Sequence, residues 1–110
     1  KLLNLLKKDL DAASITGAHS TEWYDLTGCE SLAFQLEVTI DAITGGTVKI
    51  EKSLNASDAN DDISAVNLTT TADLFLEASQ PIDANYYRLT FAVANGGLSY
   101  TGNVLGKGLA

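Results

Sequence analysis

Alternating apolar and polar residues constrain the fold of this chain more than any other feature of its sequence. The alternation covers residues 31–40, 47–54, 85–94 and 98–104. Because successive side chains of a β-strand point to opposite faces, the pattern predicts strands that bury one face and leave the other in water. Glycine-rich segments at residues 45–46 and 95–97 separate the strands of each pair, so the sequence predicts two β-hairpins.

The apolar faces of these strands supply the candidate core. In the first hairpin the apolar face carries Leu32, Phe34, Leu36, Val38 and Ile40, and the return strand adds Val48, Ile50 and Leu54. In the second hairpin the apolar face carries Tyr87, Leu89, Phe91 and Val93. We expect the core to be built mainly from Phe34, Leu36, Leu89 and Phe91. Lys52 interrupts the apolar face, which indicates a β-bulge or a lysine whose stem carries its ammonium to solvent.

Short strands and turns account for most of the remaining chain. Further strands are predicted within residues 19–26, 65–68 and 72–77, and Pro81 marks a turn because proline cannot donate to a sheet ladder. A chain of 110 residues with 45% hydrophobic content is one domain with a core of its own. We predict a single all-β domain over residues 14–110, an antiparallel β-sandwich with jelly-roll or Greek-key connections. A β-barrel is the nearest alternative.

Residues 1–13 are rich in leucine and admit two interpretations. The leucines lie at roughly helical spacing, which favours a short amphipathic helix. The alternative is an extended arm that packs on a neighbouring subunit, since a helix this short needs a partner surface to be stable. The candidate assembly contacts in this segment are Leu2, Leu3, Leu5, Leu6 and Leu10. The apolar stretch is too short for a secretory signal and no cleavage site follows it, so we predict no signal peptide.

The charge of the chain argues against several classes of partner, and its cysteine content excludes an internal disulfide. The formal net charge is -7, which argues against nucleic acid and anionic membranes, because a phosphate-binding protein needs a basic face. No apolar run approaches the roughly 20 residues of a transmembrane helix. Cys29 is the sole cysteine, so no disulfide can form within the chain.

The polar segment 55–64 is predicted to be an exposed loop. Its residues 58–62 begin like a calcium-binding loop, but Ile63 replaces the required glycine and Thr69 replaces the required glutamate. We therefore predict no metal site and interpret the segment as a candidate recognition loop. Its candidate contact residues are Asn55, Asp58, Asn60, Asp61 and Asp62.

Neither catalysis nor a cofactor is predicted. His19 is the sole histidine, so a zinc cluster is not available, and it lies beside Ser20 without a nucleophile-elbow motif. No glycine-rich segment joins a strand to a helix, which excludes a phosphate-binding loop of that type. We expect a protein that is not an enzyme.

Aromatic side chains leave glycan binding open as an alternative function. The candidates for an aromatic platform are Trp23, Tyr24, Tyr86, Tyr87 and Tyr100. Alternation sends one member of each adjacent pair into the core, so about half of these rings should be unavailable to a ligand.

The order of segments resembles a known group of proteins. Glu22-Trp-Tyr-Asp-Leu-Thr-Gly28 is followed by an alternating strand at residues 31–38, by Gly46-Thr-Val-Lys-Ile-Glu-Lys-Ser-Leu-Asn55, and by Tyr86-Tyr-Arg-Leu-Thr-Phe91. This order, over residues 19–105, is similar to that of small tailed-bacteriophage virion proteins. The chain departs from their pattern after Ser53, where the glycine of the usual S-N-D-G turn is missing, so the following loop should differ in shape.

The resemblance implies a non-enzymatic structural protein of the virion. Members of the group are β-sandwich subunits of the head-decoration, head-fibre or tail-accessory type, located on the capsid surface or the tail. The implied partners are other copies of the chain, with a trimer as the first hypothesis, and capsid or other virion proteins. On this hypothesis removal of residues 1–11 abolishes attachment and leaves residues 19–105 folded. The alternative is a glycan-binding sandwich of a virion or extracellular protein.

Overall fold

A computed structural model describes residues 2–41, 45–68 and 71–109. Every regular element in these ranges is a β-strand, and all strand pairs are antiparallel. The strands are β1 (Leu2–Ser20), β2 (Tyr24–Asp25), β3 (Ser31–Asp41), β4 (Gly45–Ser53), β5 (Asn60–Asp61), β6 (Val66–Asn67), β7 (Ala72–Glu77) and β8 (Tyr86–Leu109).

Strand β8 lies at the centre of the fold and has neighbours along both of its sides. On one side it pairs with β1 and then with β2. On the other side it pairs with β3 through residues 97–107 and with β4 through residues 86–94. Strands β3 and β4 therefore lie end to end along β8, and many β8 residues, such as Phe91, have a partner on either side.

The sheet consists of two layers that share β1 and β8. Layer A contains β7, β3, the second half of β8 and the first part of β1. Layer B contains β4 with β5 and β6 at its edge, the first half of β8, the end of β1, and β2.

The long strands bend where they pass from one layer to the other. In β1 the backbone has positive φ at Ser14 and Gly17, and its pairing with β8 shifts register between these positions. In β8 the positive φ values are at Asn95 and Gly96. Strands that cross between packed sheets turn their corners at such bends and bulges. The two layers consequently face each other as a β-sandwich, as the sequence predicted.

Ring contacts across the sandwich show how the layers enclose the core. Tyr24 of layer B lies 6.1 Å from Phe34 of layer A, measured between ring centroids. Phe91 of layer B stacks on Tyr100 of layer A at 4.8 Å. The expected core residues Phe34, Leu36, Leu89 and Phe91 are all fully buried. The predicted inward face of the alternating strands is thus confirmed.

Both predicted hairpins are wrong. Residues 85–94 and 98–104 belong to one strand, because Asn95 and Gly96 bend β8 without reversing it. Strands β3 and β4 each pair with β8 and not with each other, and residues 42–44 between them lie outside the described residues. The segment 95–97 marks a change of layer, and its positive φ values at Asn95 and Gly96 are of the kind that a hairpin turn also uses.

The end of β4 also differs from expectation. Leu54 is 71% exposed because β4 ends at Ser53, one residue before it. The pairing of β4 with β8 is continuous, so no bulge occurs at Lys52. Its side chain points inward at the end of the sandwich, where its ammonium lies 2.9 Å from Asp83 and 3.5 Å from Asp62.

The N-terminal segment is a strand, and the helical interpretation is therefore wrong. Strand β1 continues through the expected boundary between residues 13 and 14, and it packs on β8 of its own chain. The reason is that the β8 edge offers backbone partners along its full length, so the leucines are placed by sheet pairing. The side chain of Leu10 is buried and that of Leu6 packs on the core, while Leu3 and Leu5 are 37% and 45% exposed. The side chain of Leu2 lies outside the described part of the chain.

Candidate functional site

The loop between β4 and β6 is organised by its own polar side chains and by lysines of β4. Asn55 Oδ1 accepts hydrogen bonds from the backbone N–H groups of Ser57 and Asp58, each at 2.9 Å. Asp61 forms a 2.8 Å ion pair with Lys49. Asn55, Asp58, Asn60 and Asp61 are exposed, in keeping with a surface loop.

Asp62, the fifth predicted loop contact, has a structural position instead. Its side chain is fully buried, and its Oδ2 accepts a 2.8 Å hydrogen bond from the backbone N–H of Ser79. Its Oδ1 has only the Lys52 ammonium, 3.5 Å away, as a polar neighbour. The hydrogen bond from the Lys52 ammonium to Asp83 lowers the pKa of Asp83, and the same hydrogen bond raises the pKa of Lys52. In the described ranges no group of three or more possible metal ligands converges.

The outer face of layer B carries a cluster of polar side chains joined by hydrogen bonds and ion pairs. We call it the Trp23 face, and it consists of the outward side chains of the β2–β8–β4 region. Its members are Ser20, Trp23, Lys49, Glu51, Tyr86, Arg88 and Thr90. The register places Arg88 opposite Glu51 and Thr90 opposite Lys49. Strands β1, β4 and β8 and the residue directly before β2 therefore contribute to one surface.

Arg88 is held on two sides in this cluster. The carbon of its guanidinium lies 4.2 Å from the centroid of the Trp23 ring, within the range of a cation–π contact. Its Nε donates a 2.9 Å hydrogen bond to Glu51 Oε1. The Nη1 and Nη2 atoms of Arg88 hydrogen-bond to none of the described residues.

Glu51 anchors the cluster although it lies on an outward face. It is only 8% exposed, and a buried carboxylate is costly unless it is paired. The same Oε1 that accepts from Arg88 also accepts from the Thr90 hydroxyl, and the Ser20 hydroxyl donates in turn to Thr90 at 3.0 Å. The Lys49 ammonium lies 3.7 Å from Glu51 Oε2, and the hydrogen bond from Lys49 to Asp61 raises the pKa of Lys49. The result is a fixed guanidinium beside an aromatic ring.

A concave surface lies beside the bend of β1. This cleft of about 330 Å³ is lined by residues of β1 and by Tyr24 and Tyr100. His19 Nε2 hydrogen-bonds to Tyr100 Oη at 3.2 Å, and an exposed Lys8–Glu22 ion pair of 3.0 Å lies at its rim. Burial raises the pKa of Tyr24 to about 12, so its phenol stays neutral at physiological pH.

The neighbouring His19 and Ser20 do not form a catalytic pair. Their side chains leave opposite faces of β1, because adjacent residues of a strand alternate. His19 bonds to Tyr100 in the cleft, whereas Ser20 bonds to Thr90 on the Trp23 face.

The aromatic residues divide between core and surface as alternation predicts. Tyr24, Tyr87 and Tyr100 are buried, and Trp23 and Tyr86 are half-buried on the outer face. The partnership of Arg88 with Glu51 was missed by the sequence analysis. Alternation gave the outward direction of both side chains, but their contact depends on the pairing of β4 with β8, which the predicted hairpins did not include.

Exposed leucines gather at one end of the sandwich, where β1 begins and β8 ends. Leu3 pairs with Gly108, next to Leu109, which is 58% exposed. Leu5 lies close to Gly108 as well. We call Leu3, Leu5 and Leu109 the leucine end. Of the predicted assembly contacts whose side chains the structure describes, Leu3 and Leu5 are therefore exposed.

Comparisons with known proteins show the fold and no family. No protein-family model matches the chain, and no curated protein matches its sequence. Among solved structures, the PBSX exported protein XepA superposes with a TM-score of 0.69 at 19% identity, over 96% of this chain and 38% of that one. A CBM4 structure gives a TM-score of 0.57 at 18% identity, over 81% of this chain and 60% of that one.

The SPBc2 prophage-derived protein YomS has a similar length. It superposes with a TM-score of 0.53 at 10% identity, over 91% of this chain and 92% of that one. The chain thus spans less than two thirds of the XepA and CBM4 chains and nearly all of YomS. At these identities the similarity establishes the β-sandwich fold. Across the described residues, no helix has the length and apolarity that crossing a membrane requires.

Proposed function

We propose that the protein is a non-enzymatic structural component of a bacteriophage particle, a decoration or auxiliary subunit on its capsid or tail. The observation that carries this proposal is the sandwich itself, which superposes on two proteins whose names refer to PBSX and to the SPBc2 prophage. With YomS the shared fold covers nearly the whole of both chains, as is usual for a small subunit with a single domain. The resemblance of residues 19–105 to small phage virion proteins supports the same role.

Assembly would use the leucine end. Leu3, Leu5 and Leu109 are all exposed at this end of the sheet, and Leu109 lies on the face opposite Leu3 because it follows Gly108, the partner of Leu3. Burying a leucine side chain stabilises an interface by roughly 1.5–3 kcal/mol, so a few such contacts contribute substantially to association. A homo-oligomer, with a trimer as the first hypothesis, would bury this surface against other copies of the chain or against a capsid protein.

Light scattering after size-exclusion chromatography tests the assembly surface. The double variant Leu3→Ser/Leu5→Ser should be a monomer at concentrations where the wild-type chain is an oligomer, because it loses the apolar contact. Leu54→Ser is the matched control: Leu54 is more exposed than either leucine but lies outside the leucine end. A monomeric wild-type chain, or equal dissociation in all variants, would contradict assembly through this surface.

Association with particles tests the virion role directly. In a density gradient of particles from a culture that produces this protein, the chain should band with the particles and resist a salt wash. Detection only in the soluble fraction at the top of the gradient would contradict the proposal.

Glycan recognition is the second candidate function, and one observation favours it. Trp23 and Tyr86 lie in adjacent rows of the same outer face, beside the polar groups of Arg88 and Glu51. The fold similarity to a CBM4 structure is compatible with such a role. In a glycan-array screen, a bound sugar should be lost in Trp23→Ala and weakened in Tyr86→Ala. No binding at millimolar sugar would end this alternative.

A further inference from the structure

We infer that the Trp23 face selects saccharides that carry a carboxylate, and that Arg88 is the group that binds this carboxylate. The inference rests on the second candidate function, glycan recognition, and specifies the chemical class of its ligand.

The first argument is the geometry of the Arg88 guanidinium. A guanidinium binds a carboxylate through two parallel hydrogen bonds. The arginine side chain loses less conformational entropy on binding when the protein already holds its planar guanidinium fork in place. Here the Trp23 ring and Glu51 fix the plane and the inner edge of the fork. The two Nη atoms, which hydrogen-bond to none of the described residues, supply the donors that a ligand carboxylate requires.

The second argument is the state of the carboxylates near Arg88, each of which already has partners. Glu51 accepts from Arg88 and from Thr90, and Asp61 at the edge of the face pairs with Lys49. The outward carboxylate of Asp25 accepts hydrogen bonds from the backbone and hydroxyl of Thr27. The donors of Arg88 are thus available to a ligand, although the formal net charge of the chain is -7.

The third argument is the aromatic surface beside the fork. Trp23 and Tyr86 are both half-buried, so each ring presents one part to solvent while the protein fixes the rest. A sugar ring packs its C–H groups on such surfaces, and its carboxylate can then reach Arg88. A nucleic acid is a poor candidate for the same face, because the acidic chain repels a polyanion over its whole length.

The position of Trp23 provides a direct readout. It is the sole tryptophan of the chain, so its fluorescence reports on a ligand at this face. We would titrate the full chain with a disaccharide that carries a single uronic-acid carboxylate and with the neutral disaccharide of the same length. Because a hydrogen bond to a charged group contributes about 1.5–3 kcal/mol, the acidic sugar should bind about tenfold tighter or more.

Two variants of Arg88 separate the effect of its planar pair of hydrogen-bond donors from the effect of its positive charge. Arg88→Lys keeps a cation beside Glu51 but loses the planar pair of donors, and it should remove the preference for the acidic sugar. Arg88→Gln removes the charge as well, and circular dichroism checks that it folds when Glu51 lacks its arginine partner. Lys7→Gln, which removes one positive charge from an exposed position on layer A, should leave the preference unchanged.

Each outcome bears on the inference. A preference that is lost in Arg88→Lys and kept in Lys7→Gln supports it. Equal binding of both sugars, or a preference that survives in Arg88→Lys, overturns the inference and leaves glycan recognition standing. Failure of both sugars to bind at millimolar concentration overturns the inference together with the second candidate function.

Discussion

Phe34 is the residue on which the packing of the sandwich depends most clearly. It is completely buried and its ring contacts Tyr24 of the opposite layer. In Phe34→Ala a cavity remains between layers that are held apart by their other side chains, and such substitutions cost about 3–5 kcal/mol. This loss is comparable with the whole stability of many small domains. Equilibrium unfolding in urea should therefore show a much lower midpoint or no folded baseline.

The same strand pair provides a matched control. Phe75 on β7 lies next to β3, but its side chain is 62% exposed on the outer face of layer A. Phe75→Ala should change the free energy of unfolding by no more than about 0.5 kcal/mol. If both variants lost similar stability, the assignment of inward and outward faces in β3 and β7 would be wrong.

For individual residues, the sequence predicted well which face of the strand a side chain occupies, and poorly which other side chains it contacts. Whether Trp23 points outward and Tyr24 inward depends only on the two-residue period of a strand. The pairing of Arg88 with Glu51 depends on which strands are neighbours, and these residues are far apart in sequence. Lys52 was recognised as an exception on the inner face, but its partners Asp62 and Asp83 come from loops whose positions no local pattern encodes.

Among the strands, β8 approaches β3 closely at Gly102, which pairs with Leu10 on one side and with Leu36 on the other. A Cβ atom at Gly102 would lie 1.9 Å from the carbonyl oxygen of Gln35, a backbone atom that cannot move without breaking the pairing. Overpacking typically costs about 1–3 kcal/mol. Gly102→Ala should reach or exceed the upper end of that range in urea unfolding.

Gly45 at the start of β4 is the control for this prediction. A Cβ atom there meets no atom within 4 Å, and its φ is not in the left-handed region. Gly45→Ala should be neutral or stabilise the fold by up to about 1 kcal/mol, because alanine has fewer unfolded conformations to lose. A Gly102→Ala protein as stable as Gly45→Ala would contradict the close contact of β8 with β3.

The two wrong hairpins show what local sequence leaves open in a sheet of long strands. Glycine and asparagine supply positive φ, and at Asn95 and Gly96 that conformation bends a strand across two layers. A reversal of the chain and a change of layer need the same residue types, so composition alone does not separate them. What separates them is the long-range pairing of β3 and β4 with β8, which is a property of the folded chain.

For the molecule as a whole, β1 joins the two layers as a continuous edge, and this changes the expected effect of removing residues 1–11. The deletion would leave residues 101–109 of β8 without their partner strand β1 and would remove the buried side chain of Leu10. Both losses fall on the shared core, so the shortened chain should unfold as a unit at a much lower urea concentration. The Leu3→Ser/Leu5→Ser chain keeps all of β1 and should unfold close to the wild-type midpoint. If the shortened chain kept the wild-type midpoint in far-ultraviolet circular dichroism, β1 would be an appended arm, and the sandwich would be complete without it.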